Sequence, residues 1–404
     1  MLINWAKITF TILKNVLWER GIMKKYIFTF LGFIILIFTL PAIFTRKANF
    51  ASSIANETNI SKNTYENNVG EASNNDSEKS NNSGNDSNSD NGSNSGNSGN
   101  SSNDSNSELT KEEINKLCDY NYNNYSKIKL LHTKTGQVEE ITLDQYLLGV
   151  VSAEMPANFE EEALKAQAVV ARTYTLYSIE KSKKHENADV CDSPSCCQAW
   201  ISKEDRLNKW EESKKIENWG KIFEAVNSTK GKVIKYNGDL IDAFFHSNSG
   251  GKTEEPVNVW GGSNYPYLQS VETSGEDAYS QYSSEVILSK DDFVKKIKEK
   301  HNNLEINFNK EDAIKITEYT DTNRVKTIKV GNLNLSGVEI RSILGLKSTN
   351  FQFSIDGDSI KFEVTGYGHG VGMSQTGADS MAKQGKKYDE IIKHFYTGVE
   401  VIDF

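Results

Sequence analysis

The chain has 404 residues, 37% of them hydrophobic, and a net charge of −9. That length admits two or three domains, and so low an apolar fraction leaves part of the chain solvated. The acidic balance excludes a general nucleic-acid surface, four Cys are too few for a disulfide scaffold, and five Pro rule out a Pro-rich stalk.

Residues 26–44 read YIFTFLGFIILIFTLPAIF, an uncharged run long enough to cross a bilayer as a helix. Lys24 and Lys25 precede it and Arg46 and Lys47 follow, so flanking charge orients it only weakly. A cleavable signal peptide is the other reading, but the apolar run is long and no clear A-x-A site follows. The expectation is therefore an uncleaved anchor over residues 23–47. Met23-Lys24-Lys25 is itself a typical start before such a run, which makes residues 1–22 a candidate artefact of start assignment; the alternative is a genuine amphipathic extension. From 72 to 108 there is no Val, Ile, Leu or aromatic residue. Such a segment cannot offset its conformational entropy by burial, so residues 48–108 are expected to be a disordered Asn/Ser-rich tether.

A globular part is expected over residues 109–404. Strands at 128–131 and 138–143 flank a turn at Lys134-Thr135-Gly136. Asp144 is positioned to N-cap a short helix at 145–151. Residues 159–179 form a long helical run with Ala163, Gln167, Val170, Tyr174 and Tyr177 on one stripe. Helix at 222–228 and strands at 231–236 and 240–245 follow. Then come a helix at 290–300, strands at 313–319, 325–330, 351–355 and 359–364, and helices at 335–343 and 374–384. The mixture lacks a βαβ rhythm, which predicts an α+β fold.

Five segments hold candidate chemistry. Glu154, in VVSAEMP (150–156), is a carboxylate in an apolar run, where desolvation raises its pKa and suits it to general acid work; the alternative is a helix-end Glu paired with a cation. AQAVVARTY (166–174) offers Arg172 and Tyr174 as substrate contacts, with a structural salt bridge as the other reading of Arg172. His185, Cys191, Cys196 and Cys197 cluster as zinc donors or, outside the cytoplasm, as disulfide partners; Cys118 stands apart. FHSNSGGKTE (245–254), with VWGG (259–262) and YPYL (265–268), combines glycine pairs, hydroxyls and aromatics in the manner of a sugar groove, or simply forms a tight loop. GYGHGVGMSQTGA (366–378) places glycines at alternate positions before a helix, allowing close backbone approach. The loops at 246–253 and 368–375 are expected to meet around Glu154 as one open groove. Ser247, Ser249, Gly250, Thr253, His369, Gly370 and Gln375 would bind substrate there. On this view Val at Gly370 or Gly372 costs cleavage more than stability.

Taken together, SAEMP, AQAVVARTY, FHSNSGGKTEE with VWGG and YPYL, and GYGHGVGMSQTGA resemble the SpoIID/LytB family, from about residue 128 to the C-terminus. The resemblance implies a fold unlike lysozyme and a peptidoglycan lytic transglycosylase of spore engulfment. It would cleave MurNAc–GlcNAc bonds of peptide-stripped glycan strands to 1,6-anhydro ends. It implies a single-pass mother-cell membrane protein with its catalytic domain outside the cytoplasm, and stage II sporulation proteins P and M as partners. Glu154 aligns with the catalytic Glu. His185, Cys191 and Cys197 look like zinc ligands, with Cys196 an extra neighbour. Thiolates quench the Lewis acidity of zinc, so the metal is read as structural. The rivals are a zinc hydrolase and a non-catalytic wall-binding amidase enhancer.

Overall fold

The structure, a computed structural model, describes residues 120–262 and 265–404. The candidate anchor, the extension before it, the tether and Cys118 lie outside the described residues. Among the described residues no helix is long and apolar enough to cross a membrane.

The fold is α+β, with several small sheets rather than one large one. Strands β1 (Lys127–Leu131) and β2 (Val138–Thr142) form the expected antiparallel hairpin. Helix α1 (Leu143–Glu154) starts earlier than Asp144 would set it. Thr142 is the N-cap: its side chain accepts the Gln145 N–H while the Gln145 side chain accepts the Thr142 N–H. Asp144 instead turns inward and accepts the Tyr122 hydroxyl at 2.7 Å. Helix α2 (Glu161–Tyr177) is buried on nearly every side from Ala163 to Leu176, not along one stripe. A helix buried on so many sides belongs at the centre of a core, and α1, the later helices Glu212–Ser228, Gln375–Lys383 and Tyr388–Phe395, and the strand Lys232–Tyr236 all pack on it.

A π-helical turn (Ser178–Ser182) ends α2 at Lys183, whose φ is +41°. Strand β3 (Val190–Cys191) then runs parallel to β1. Helices α3 (Lys203–Lys209) and α4 (Glu212–Ser228) lead to β4 (Lys232–Tyr236) and β5 (Asp239–Leu240). The strand expected at 240–245 is interrupted: β5 stops at Leu240 and β6 (Phe245–His246) starts a different sheet. The Phe244 N–H turns back to the Asp242 carbonyl at 3.0 Å, which breaks the extended run. Helix α5 (Pro256–Trp260) follows.

Residues 283–365 build a second core. Strand β7 (Ser283–Ser289) and helix α6 (Lys290–Lys300) precede a meander of β8 (Ile314–Tyr319), β9 (Val325–Val330) and β10 (Leu333–Ser336). Helix α7 (Gly337–Leu344) and the hairpin β11 (Phe351–Asp356)/β12 (Ser359–Thr365) complete it around Phe293, Ile328 and Phe362. Both ends of this lobe meet. Ser283 pairs with Thr365, and the Gly366 N–H donates to the Tyr282 carbonyl. The lobe is thus an insertion in the first core, to which the chain returns with β13 (Met373–Ser374), α8 (Gln375–Lys383), α9 (Tyr388–Phe395) and β14 (Glu400–Asp403).

One glycine in α1 fixes the segment that crosses it. A Cβ on Gly149 would lie 2.1 Å from Trp200 Nε1, and the Ile201 N–H donates to the Gly149 carbonyl. Gly149→Ala should push Trp200 off the helix at a cost of about 1–3 kcal/mol, read as a fall of several degrees in Tm. An unchanged Tm would mean that the indole does not rest on this helix.

Candidate functional site

The two glycine-rich loops meet. Strand β6 runs parallel to β13, pairing Phe245 with Met373 and His246 with Ser374. Asn248 and Tyr367 exchange backbone hydrogen bonds at 2.9 and 2.8 Å. The Glu254 N–H donates to the Gly370 carbonyl at 2.8 Å, and the Thr376 N–H to the Ser247 carbonyl at 3.0 Å. Such contact needs glycine. Gly372 has φ +73°, and a Cβ there would lie 2.0 Å from the Phe244 carbonyl oxygen; at Gly370 it would lie 2.6 Å from Arg324 Nη2. Val at either position would therefore also cost stability. These glycines serve loop-to-loop packing, and a side chain would break it.

Buried ions hold the junction. Glu276 accepts the N–H groups of Ser249 (3.0 Å) and Gly251 (2.8 Å) and the hydroxyls of Ser249, Thr273, Ser374 and Thr376. Glu254 accepts the hydroxyls of Thr320 and Thr322 at 2.6 Å each, and Asn258 Nδ2 at 2.9 Å. Burial alone would raise both carboxyls; these donors outweigh it and hold both below the ordinary value. Arg324, from the inserted lobe, donates to the Ser249 and Lys252 carbonyls at 2.7 and 3.1 Å.

Glu154, at the last turn of α1, has a different setting. Its Oε1 accepts the Ala199 N–H at 2.7 Å. Its Oε2 faces Gln375 Nε2 at 3.5 Å, and that nitrogen also faces Gln167 Oε1 at 3.5 Å. Burial pushes its pKa up to about 7 against these two donors. With no cation among the causes of that shift, the carboxyl is poised to give and to take a proton near neutrality. His369 contributes no such charge. Burial pushes it well down, and its Nδ1 accepts the Val371 N–H, so it stays neutral.

The metal cluster assembles beside the acid. One donor atom from each of His185, Cys191, Cys196 and Cys197 lies within 4.8 Å of every other. His185 Nε2 is 3.5 Å from Cys197 Sγ and 3.6 Å from Cys196 Sγ, and the two sulfurs are 3.9 Å apart. A tetrahedron with sulfurs at ~2.3 Å from zinc has edges of about 3.8 Å, so the spacing fits a closed four-ligand site. All three thiols are free. Sharing of protons among them drives the Cys196 thiol down and the other two up. Only a cation lets all three ionise together, and the cluster could hold a metal such as zinc. Cys196 could thus supply the fourth donor that spacing left undecided.

A profile of the SpoIID family, described as stage II sporulation protein, matches residues 131–236, which carry Glu154 and all four metal donors. Stage II sporulation protein D of Bacillus subtilis (strain 168) is 36% identical over 277 residues, 68% of this chain and 78% of that protein. Its counterpart in Bacillus amyloliquefaciens is 35% identical over the same shares. The chain belongs to the SpoIID family. A further relative, the amidase enhancer of Bacillus subtilis (strain 168), is 30% identical over 64% of this chain and 40% of that protein.

In this SpoIID family chain the predicted site residues separate into two groups. Ser247, His369, Gly370 and Gln375 belong to the loop junction, and Gln375 reaches Glu154. The others are spent on structure. Arg172 is fully buried and donates to the carbonyls of Thr229 (2.8 Å), Lys232 (3.2 Å) and Val226 (3.3 Å), with Asp144 at 3.8 Å. It ties the end of α4 to α2 and has no face left for a polymer, which corrects its expected substrate role. The Ser249 hydroxyl serves Glu276, Thr253 Oγ1 accepts the Val271 N–H, and the Gly250 N–H goes to Asn248 Oδ1. Tyr174 is buried, its hydroxyl accepting Lys184 Nζ at 2.9 Å. Sequence reasoning missed Glu254, Glu276 and Arg324. Each partners groups distant in the chain, and a charged residue in a polar loop gives no sign that it is buried. The Ala199 donor is a backbone group and leaves no mark on the sequence.

Proposed function

We propose that this protein is a peptidoglycan lytic transglycosylase with Glu154 as its single acid and base. The observation that supports it is the Glu154 carboxyl, raised to about 7 and held by the Ala199 amide and Gln375. Neutral Glu154 protonates the glycosidic oxygen O4, between MurNAc C1 and GlcNAc C4, as the C1–O4 bond breaks. The resulting carboxylate takes the proton from the muramyl C6 hydroxyl as O6 bonds to C1. The proton returns, no water is consumed, and the product is a 1,6-anhydro end. Because the nucleophile is internal, the second carboxylate of ordinary glycosidases is not required. Ser247, His369, Gly370 and Gln375 would line an open groove for the strand. His185, Cys191, Cys196 and Cys197 would hold zinc, a closed structural ion that fixes the loop leading to Ala199. The sporulation relatives support a role in engulfment on peptide-stripped strands, with stage II sporulation proteins P and M as partners and residues 23–47 anchoring the domain at the mother-cell membrane.

The decisive measurement is mass spectrometry of muropeptides released from stripped glycan. Anhydro ends are expected; free reducing ends would indicate a hydrolase, and no product the amidase-enhancer reading that the 30% identical relative suggests. The pH profile tests the proton. Glycosidic cleavage uses neutral Glu154, so kcat/KM should fall about tenfold per pH unit above about 7. A flat profile from pH 6 to 9 would remove Glu154 as the acid.

A further inference from the structure

Asp242 lies in the interruption between β5 and β6, 9% exposed. Its N–H faces the Tyr267 hydroxyl at 3.0 Å and its carbonyl accepts the Phe244 N–H. Its carboxylate has no hydrogen-bond partner among the described residues. The other buried carboxylates, Asp144, Glu254, Glu276 and Asp379, all accept donors. Its oxygens are not among the buried side-chain atoms that lack a partner, so they keep an opening to solvent through which a ligand's donors could reach them. Burial raises its pKa to about 6, with Lys184 the one opposing charge, which leaves it mostly ionised at neutral pH.

Its surroundings are aromatic. The charge of Asp242 is felt by Tyr174, Tyr177, Tyr265, Tyr267 and Tyr396. Tyr265 packs against Tyr267 at 5.8 Å and edge-on to Phe244 at 6.3 Å. Phe244 meets Trp260 at 4.6 Å, and Trp260 is 49% exposed. A carboxylate with open lone pairs, on a segment whose backbone meets Tyr267 and Phe244 and through Phe244 the exposed Trp260, suits a sugar: adjacent donors on the pyranose would fill the carboxylate, and its C–H face would cover a ring. Lys184 also links this place to the acid. It donates to the Cys196 carbonyl at 2.7 Å, three residues before Ala199.

We propose that Asp242, with Tyr265 and Trp260, forms a second saccharide subsite that takes an N-acetylglucosamine residue of the strand. The inference rests on the glycan-cleaving reading of Glu154. N-acetylglucosamine presents an amide N–H and a hydroxyl on neighbouring carbons, two donors for one carboxylate. MurNAc keeps the amide at C2 but has a lactyl ether in place of the C3 hydroxyl, and once stripped of peptide it carries a lactyl carboxylate that Asp242 would repel. The subsite would thereby set the register that brings a MurNAc–GlcNAc bond, not the alternate one, to Glu154.

The test is calorimetric binding of chitotetraose and of stripped glycan to Glu154→Gln protein, with and without Asp242→Asn. Asp242→Asn should weaken both at least tenfold, with Tm at pH 7 unchanged or higher because an unpaired buried charge is gone. Trp260→Ala should weaken both at unchanged Tm. Equal affinities in parent and variants would overturn the subsite. So would a fall in Tm in Asp242→Asn with binding intact in Trp260→Ala, which marks Asp242 as structural. If wild type releases anhydro ends and the variants bind normally, the subsite alone fails; if wild type neither binds nor cleaves stripped glycan, the reading of Glu154 fails first.

Discussion

Glu154→Gln should lower anhydro-muropeptide release by at least ~10³-fold, at the upper part of what a positioned acid–base group contributes. On the proposed mechanism one residue performs both proton transfers, so no second carboxylate shares the loss. Gln keeps the shape and an oxygen for the Ala199 N–H, now 2.7 Å from Oε1, but carries no transferable proton. Stability should move the other way. The folded pKa, about 7, lies above the ordinary 4.5. Ionisation therefore favours the unfolded chain between these values, and the stability that the neutral carboxyl enjoys is lost as pH rises through 7. At pH 8 the Gln variant should melt at or above the wild-type temperature. A folded Gln variant with near-normal turnover would sink the assignment.

Removing the metal should have the largest effect on the fold. The purified domain should contain about one zinc, and Cys191→Ser or a strong chelator should lower Tm by roughly 10 °C or more. Cys191 is fully buried on β3, and Cys196 and Cys197 lie on the loop that leads to Ala199. Cleavage should therefore fall together with Tm. Cys196→Ser should also weaken zinc retention, because its sulfur completes the four-donor set. Zinc-free protein with a mass two hydrogens lighter would mean a disulfide instead. Turnover lost on chelation at unchanged Tm would mean that the ion does more than hold the loop.

What the sequence made legible was local. Hairpin β1/β2, helices α1, α2 and α6, and the hairpin β11/β12 follow from alternation, helical spacing and turn residues that act over a few positions. The candidate acid Glu154 and the His185, Cys191, Cys196 and Cys197 cluster were visible for the same reason: each stands out from its immediate neighbours. Long-range placement was not legible. Arg172 looked equally suited to a ligand or a salt bridge, and only the carbonyls of Thr229 and Lys232, nearly sixty residues on, decide between them. The break at Asp242 was missed because Ile241, Ala243 and Phe244 keep an apolar texture through it. Strand β7 was missed because its serines mask the alternation that pairs it with β12.

The inserted lobe has a consequence for timing during synthesis. Glu154 and the four metal donors leave the ribosome early, but Gln375 lies 221 residues behind Glu154. Between them comes the whole of 283–365, which has a hydrophobic core of its own. Strand β4 must wait longer still for β14, its partner at the end of the chain. A ribosome-bound fragment therefore carries the acid without the second donor, without helix α8 and without the laced loops. The arrangement around Glu154 is complete only when the last thirty residues arrive, so on the proposed function a truncated chain would lack the assembled site.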